Sequence, residues 1–566
     1  MLGAACFFAC CAHTTSPLHQ RPTLQYRWLY LSLNFQVDGN VPKAQEIMKR
    51  AAKAGYNGIV LADYKLEILD LLGDNKPRYF RNMGQVKQTA QELNLQLIPT
   101  LSGPGYASGI LAHDPNLAEG PPVRDAPFVV KNGQADIAQS LRSGLKNPGF
   151  EEATHHLFKG LDFQDGIGKS TFQDLQIKHG GESSLRMESI AASTPENTNC
   201  RATQTVEVAP WRQYHVSVWT KTDQFDAIGN TRIAIIGYDG KTLCFQDLRL
   251  QTTQDWTEQH ITFNSQSNAK VRVYFGVWGG NKGKLWWDDA KLEETGLLNI
   301  VRRDECPLMV KGEDGTVYVE GEDFEKVADP KMGNVPWPGA YEIYHPWPQI
   351  KLTKDSRIRE GQKLLVSYFP AAIVMTDQVA CSLTDPASFK ILENDVKNVR
   401  LLLEPKTYFW GHDEMRCAGW DLGAAKSGKT PGQLLAEQFA RCYAMTKKED
   451  PKATICVWSD MFDPTHNAHA DYYMVHGTLA DSWKGVPQDV LIVNWNSGQA
   501  KASGEFFANQ GYHQILAGYY DGQPDAIKKW QAEVAGLRGI EGVMYTTWVG
   551  NYSNLEAFAE AAWGKR

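Results

Sequence analysis

A chain of 566 residues exceeds one ordinary domain and leaves room for a large unit with a smaller module beside it. An apolar share of 42% with 17 tryptophans describes a globular protein rich in aromatic surface, which excludes a disordered or fibrous chain. A net charge of -7, with no basic cluster, Walker loop or zinc-finger spacing, excludes nucleic acid as an expected partner, and cysteines scattered without CxxC pairs exclude a disulfide scaffold and a zinc site built on them.

In chain order, residues 1–20 open small, apolar and cysteine-bearing, in the manner of a bacterial export signal, with loose lipoprotein cleavage boxes at Leu2–Cys6 and Phe8–Cys10. They predict a periplasmic or cell-surface lipoprotein with a lipid anchor on a membrane surface; no later run of 18 apolar residues is present to span one. Over 21–146 strands and helices alternate: a strand at Trp28–Phe35, a helix at Val41–Ala54 stopped by Gly55, a strand at Gly58–Ala62 ending in Asp63, a helix around Met83–Leu93, and a strand at Gln96–Leu101. That rhythm implies parallel strands with crossover helices, and at this length it predicts an α/β fold, a (β/α)8 TIM-type barrel, ahead of a doubly wound sheet.

The rhythm breaks over 147–294, where short alternating segments with turns between them predict an all-β sandwich inserted into the barrel chain. Its opening, Asn147-Pro148-Gly149-Phe150-Glu151, and its closing run from Trp286 to Glu294 resemble the jelly-roll carbohydrate-binding modules found beside glycoside hydrolases. The resemblance implies a structural calcium held by Glu151 and Asp288, and hard carboxylate oxygens suit that ion. Alternation places Trp219 and Trp286 in the sandwich core and leaves Trp211, Trp256 and Trp278 as candidates for an exposed sugar platform. Cys200 and Cys244 fall in this module, and whether they pair is left open.

The barrel pattern resumes over 295–566, after a loop-rich bridge, with a strand at Lys363–Ala372 and a helix at Ala387–Leu403. Thr430 as cap and Pro431 at the first position open a helix to Thr446. Strands at Ala453–Trp458, Val490–Trp495, Gln514–Tyr519 and Val543–Trp548 bring the strand candidates to nine for eight places, so either the 363–372 segment or the first is surplus. Trp458, Asp460, Trp495, Tyr519, Tyr520, Asp521 and Trp548 stand at or beside strand ends, as does Asp63, which makes them the expected substrate-binding rim. For Asp63, Asp460 and Asp521 a helix-capping role competes with ligand binding.

The chain is organised around Tyr408–Arg416, where the apolar strand Pro405–Trp410 ends at Gly411 and passes into His412, Asp413 and Glu414. Two adjacent carboxyls in a partly buried site separate in pKa, one protonated and one charged, which suits cleavage of a glycosidic bond. Trp410, His412 and Arg416 beside them supply the aromatic and hydrogen-bonding groups of a sugar site. Gly411-His412-Asp413-Glu414 is similar to the His-Gly-Gly-Asp-Glu signature of the β-N-acetylhexosaminidases; Ile98-Pro99 through Pro104-Gly105-Tyr106, Tyr519-Tyr520-Asp521 and Trp548 resemble further segments of that family. The resemblance implies Glu414 as general acid/base, Asp413 as the carboxylate orienting a 2-acetamido group that attacks the anomeric carbon, and Tyr519 or Tyr520 on the acetamido oxygen. No cofactor is expected for catalysis, and the expected partner is an oligo- or polysaccharide. Two alternatives stand beside this reading: a hydrolase of non-acetamido sugars pairing Glu414 with Asp460, and a non-catalytic surface protein that captures glycans.

Overall fold

A computed structural model describes residues 24–139, 144–190, 199–280, 282–332, 341–376 and 378–564; the export-like segment at 1–20 lies outside the described residues. Eight parallel strands close into a barrel in chain order: Tyr26–Leu31, Gly58–Leu61, Gln96–Leu101, Thr407–Trp410, Thr454–Trp458, Leu491–Asn494, His513–Tyr519 and Ile540–Thr546. The last pairs with the first, from Tyr26 opposite Gly542 to Leu29 opposite Tyr545. The two-residue period of each strand divides its side chains between two cores. Trp28, Val60, Ile98, Phe409, Cys456, Val493 and Met544 fill the lumen. Their neighbours Leu29, Ile59, Leu97, Tyr408, Trp410, Ile455, Ile492 and Val543 pack outward under the helices.

The helices that cover the barrel carry recognisable ends. Helix α1 (Asn40–Ala54) stops at Gly55, whose φ of 90° lets its N–H return to the Ala51 and Ala52 carbonyls. Helices α2 (Lys76–Glu92), α3 (Ser108–His113), α4 (Pro386–Leu403) and α5 (Leu422–Ser427) follow; α4 has Pro386 in its first turn and Asp385 accepting from the Ala387 amide at 2.8 Å. In α6 (Pro431–Glu449) Thr430 and Gln433 form a reciprocal capping box, Gln433 N–H to Thr430 Oγ1 at 3.2 Å and Thr430 N–H to Gln433 Oε1 at 3.0 Å. Among the described residues no helix is long and apolar enough to cross a membrane.

The expected (β/α)8 TIM-type class is corrected by two features. The crossover from Thr454–Trp458 to Leu491–Asn494 holds no α-helix among its described residues but 3-10 turns at Asp460–Phe462 and Ser482–Gly485 and a two-residue strand at Met474–Val475, so the alternation of strand and helix is broken there. The physical reason is composition: Asp460, Asp463, Pro464, Asn467, Asp471 and Gly477 interrupt any 3.6-residue apolar period, and several of these side chains are engaged in holding the barrel rim. Moreover, more strands lie outside the barrel than in it, in antiparallel sheets. The architecture is therefore a closed all-parallel barrel joined to substantial antiparallel sheet.

Between the third and fourth barrel strands the chain builds two five-stranded antiparallel sheets around one core containing Val216, Val218, Ile235, Val273, Phe275 and Trp287. Val218 and Trp287 point into this core, so Trp219 and Trp286 fall on the opposite face, where Trp286 is buried as expected and Trp219 is only half-buried. There Trp219 stacks on His179 at 4.0 Å, and the Trp286 indole donates to Asp174 at 2.9 Å. Cys200 and Cys244 are buried free thiols. A six-stranded sheet with its own core of Phe128, Val310, Leu364 and Val366 takes up Val123–Lys131 and Lys363–Tyr368. The 363–372 candidate is thus the surplus strand.

Candidate active site

The C-terminal ends of the barrel strands surround a cavity of about 550 Å³. Its floor follows from strand period. Phe409 faces the lumen and Trp410 faces the helices; the chain then turns at Gly411 and delivers Asp413 and Glu414 to the cavity. Glu414 has φ of 43°, a left-handed conformation that a non-glycine residue holds only under constraint from its surroundings. Part of that constraint is the loop after the third strand. A Cβ on Gly103 would overlap the Gly411 carbonyl and one on Gly105 would overlap the Asp413 carbonyl, so both glycines are required for the two backbones to approach.

Three carboxyls converge here in unequal surroundings. Glu414 pairs with Arg416 at 2.7 Å through Oε1 and accepts the Tyr106 hydroxyl at 2.8 Å through Oε2. Asp413 has no such partner among the described residues, and desolvation reinforced by the Asp460 and Glu414 charges holds its pKa well above the carboxylate range. Asp460 is fully buried; it accepts the Glu414 amide at 2.8 Å, Asn467 Nδ2 at 2.9 Å and the Trp495 indole at 3.1 Å. Burial outweighs these donors and pushes its pKa up to about 6. Gln378, which no motif marked, donates to the Glu414 carbonyl at 2.7 Å and accepts from Arg416, fixing the peptide that carries the pair.

The expected rim residues divide. Trp458, Trp495, Tyr520 and Trp548 line the cavity together with Tyr30 and Tyr106. Tyr520 lies parallel to Trp495 with centroids 5.9 Å apart, and Trp548 stands against Tyr30 at 5.3 Å. Tyr519, Tyr520 and Asp521 all have positive φ, so the seventh strand ends in a contorted turn that carries Tyr520 into the wall. Tyr519 stacks on Tyr545, and its hydroxyl takes Asn551 and Asn554 at 3.0 Å each, outside the cavity. Asp521 accepts from Thr547 Oγ1 and the Trp548 amide at 2.5 and 2.7 Å, which sets the loop bearing Trp548. Asp63 both lines the cavity and caps the turn at Tyr64–Ile68, accepting from the Phe35 and Lys65 amides at 2.8 and 3.0 Å. Trp410 and His412 do not reach the cavity. Trp410 is wholly buried beside α6, its indole 3.2 Å from Thr446 Oγ1. His412 is enclosed with Gln438 at 2.6 Å, and burial pushes its pKa down to about 4. Gln378 completes the site without having been expected in it, and Tyr106, quoted within the resemblance but given no role there, enters it as a hydrogen-bond donor to Glu414.

In the sandwich, Glu151 and Asp288 meet at the loop His179–Ser183. Asp288 accepts the His179, Gly180 and Asp289 amides at 2.7, 3.3 and 2.8 Å, and Glu151 Oε2 accepts the Glu182 and Ser183 amides at 2.7 and 2.9 Å. Calcium takes six to eight oxygen ligands, whereas three of these four carboxylate oxygens are turned to N–H donors. The arrangement does not fit the ion.

No family model matches this sequence, and no curated protein matches it. Solved structures similar to part of the chain include TmCBM61 in complex with β-1,4-galactotriose, at 20% identity over 26% of this chain and 95% of that one, TM-score 0.20. The CBM22-1 xylan-binding domain from Paenibacillus barcinonensis matches at 14% identity over 26% of this chain and 91% of that one, TM-score 0.20. Flavobacterium johnsoniae chitobiase matches at 17% identity over 33% of this chain and 30% of that one, TM-score 0.26. Likenesses of this extent carry no argument about activity and do not establish membership of the hexosaminidase family.

Proposed function

We propose that the protein is a glycoside hydrolase whose cavity at the barrel rim cleaves a glycosidic bond of an oligo- or polysaccharide. The observation that carries this reading is the convergence of Asp413, Glu414 and Asp460 with Arg416 under walls of Tyr30, Trp458, Trp495, Tyr520 and Trp548. Aromatic walls suit the apolar faces of sugar rings, and carboxyls in unlike surroundings suit the acid and the charged partner of hydrolysis. The electrostatics support a division of roles opposite to the one the family resemblance implies. Asp413, held protonated, gives its proton to the leaving oxygen as the C–O bond breaks; Glu414, paired to Arg416 and hydrogen-bonded by Tyr106, faces the positive charge developing at the anomeric carbon. Water then supplies the hydroxyl of the new hemiacetal and returns a proton to Asp413.

An aryl-glycoside series of graded leaving-group acidity tests the division. A lost acid is tolerated when the leaving group needs no proton. Asp413→Asn is expected to spare substrates with the most acidic phenols and cripple the rest, while Glu414→Gln cripples all of them; the reverse pattern restores Glu414 as the acid, and no turnover by the parent enzyme on any glycoside favours a protein that only captures glycans.

A second reading, hydrolysis of a 2-acetamido sugar by its own acetamido oxygen, is favoured by Tyr520. It lines the same cavity as Asp413 and Glu414, and its hydroxyl is pushed up in pKa by burial and by the charges of the three carboxyls. Inhibition by a thiazoline mimic of the oxazoline intermediate supports it, and hydrolysis of sugars lacking the acetamido group without such inhibition removes it.

A further inference from the structure

We propose that Asp70, His113 and Asp395 form a binding site for a divalent transition-metal ion, with zinc the best match to the donor set. The three come from separate elements that pack together beside the barrel: Asp70 follows the turn Tyr64–Ile68, His113 ends α3, and Asp395 lies in the middle of α4. One ligand atom from each lies within 4.8 Å of the others. None of the three lines the active-site cavity.

Two features of the cluster ask for a cation. His113 Nδ1 stands 2.8 Å from the Gly109 carbonyl, which can only accept, so the ring proton is fixed on Nδ1 and the Nε2 lone pair is turned to Asp70 Oδ1 at 3.0 Å. A lone pair facing a carboxylate oxygen repels unless a positive ion or a second proton lies between them, and an Nδ1–H held by a backbone carbonyl is the usual support of a metal-bound histidine. Asp395 is 1% exposed, yet neither of its carboxyl oxygens has a hydrogen-bond partner among the described residues. An unpartnered buried carboxyl is costly, and a metal bond removes that cost. The outer oxygen of Asp70 is meanwhile held by Asn394 Nδ2 at 2.8 Å, which leaves Oδ1 facing inward. One imidazole and two carboxylates with a fourth place open to water match zinc, whose bonds of about 2.0–2.2 Å put ligand atoms roughly 3.3–3.5 Å apart in a tetrahedron. The ligand atoms, within 4.8 Å of one another, would close to that spacing on binding the ion. Such an ion would tie α3 and α4 to the turn that carries Glu67, a residue of the cavity wall.

The test uses the full chain without a polyhistidine tag, stripped of metal and titrated with zinc chloride by calorimetry and thermal melting. One zinc per chain is expected with a raised melting temperature, and His113→Gln and Asp395→Asn are each expected to weaken binding by at least about a hundredfold and abolish the rise, while Glu414→Gln binds zinc as the parent does. Absence of binding by the parent, or binding that survives both substitutions, overturns the proposal; the second result would place the ion elsewhere, and the first would leave a proton between His113 and Asp70. Should either variant fail to fold, the visible absorption of the cobalt-loaded parent reports a tetrahedral nitrogen and oxygen site, and its absence overturns the proposal equally.

Discussion

The barrel rim and the sandwich each bring together carboxyls that stand beside glycine turns and aromatic residues in sequence, yet the two sets are satisfied in opposite ways. At the rim, Asp413 and Glu414 face a cavity, Asp460 stands buried behind them against the Glu414 amide, and one arginine pairs with Glu414. In the sandwich, Glu151 and Asp288 are held by main-chain amides of a single loop. A carboxyl paired to amides organises backbone; one paired to other carboxyls in a desolvated cavity has an unsettled proton, and an unsettled proton is what acid–base chemistry uses.

The largest expected effect separates the two sets by readout. Glu414→Gln is expected to lower turnover by about 10²–10³-fold, the scale of a lost electrostatic stabiliser, with little change in melting temperature, whereas Glu151→Gln should leave turnover intact and lose about 1–3 kcal/mol of stability by weakening the acceptor for the Glu182 and Ser183 amides. Steady-state rates and chemical denaturation of both variants check this, and a catalytic loss from the sandwich change would break the comparison. Next comes Gly103→Ala. A methyl group there meets the Gly411 carbonyl, so the loop and the Asp413–Glu414 segment must part. Turnover is expected to fall at least about tenfold in a protein that still folds, since small misplacements of a reacting group are costly. Unchanged kinetics would mean that the close approach of the two loops is dispensable.

What was legible in sequence followed from period and punctuation. The 3.6-residue spacing and the Thr430-Pro431 start gave α6, and Gly55 gave the end of α1. The central acidic stretch was legible because an apolar run ended at a glycine before three ionisable residues. Phase was not legible: Trp410 is wholly buried beneath α6 because Phe409 takes the lumen, and Trp219 leaves the sandwich core because Val218 fills it. A strand's alternation shows that two faces exist without saying which one a neighbour covers. Nor could local pattern mark Gln378, which reaches Arg416 and the Glu414 carbonyl from a distant loop, or the lack of a helix in the crossover after Asp460.

The pH dependence sharpens the rim side of the comparison. Asp460 holds its proton up to about 6 in the fold but releases it near the ordinary carboxylate range when unfolded. Between those values the folded state binds more protons, so this residue's contribution to stability is fully present at low pH and is lost as pH rises through about 4 to 6. Asp460→Asn should flatten that decline in a pH series of denaturation curves; an unaltered slope would show that Asp460 is ionised throughout. A smaller effect is expected from Trp548→Ala at the half-exposed end of the wall. Loss of one stacking face is worth about 0.5–1.5 kcal/mol, so KM should rise several-fold with kcat largely kept. A change confined to kcat would place the ring at the reacting centre instead of on a neighbouring sugar.

The smallest expected effect lies in the sandwich. Calcium on Glu151 and Asp288 would need the His179–Ser183 loop to exchange its inward amides for carbonyls, because an N–H group cannot ligate a cation. Those amides already satisfy the carboxylates, so the loop gains little by inverting. The melting temperature of the intact protein should therefore be the same within error in excess calcium and in chelator. Zinc has to be absent from both samples, since the cluster at Asp70, His113 and Asp395 would respond to a chelator on its own account. A calcium-specific rise that Asp288→Asn removes would show that the loop does invert, and the sandwich acids would then be ligands whose amide contacts describe the ion-free state.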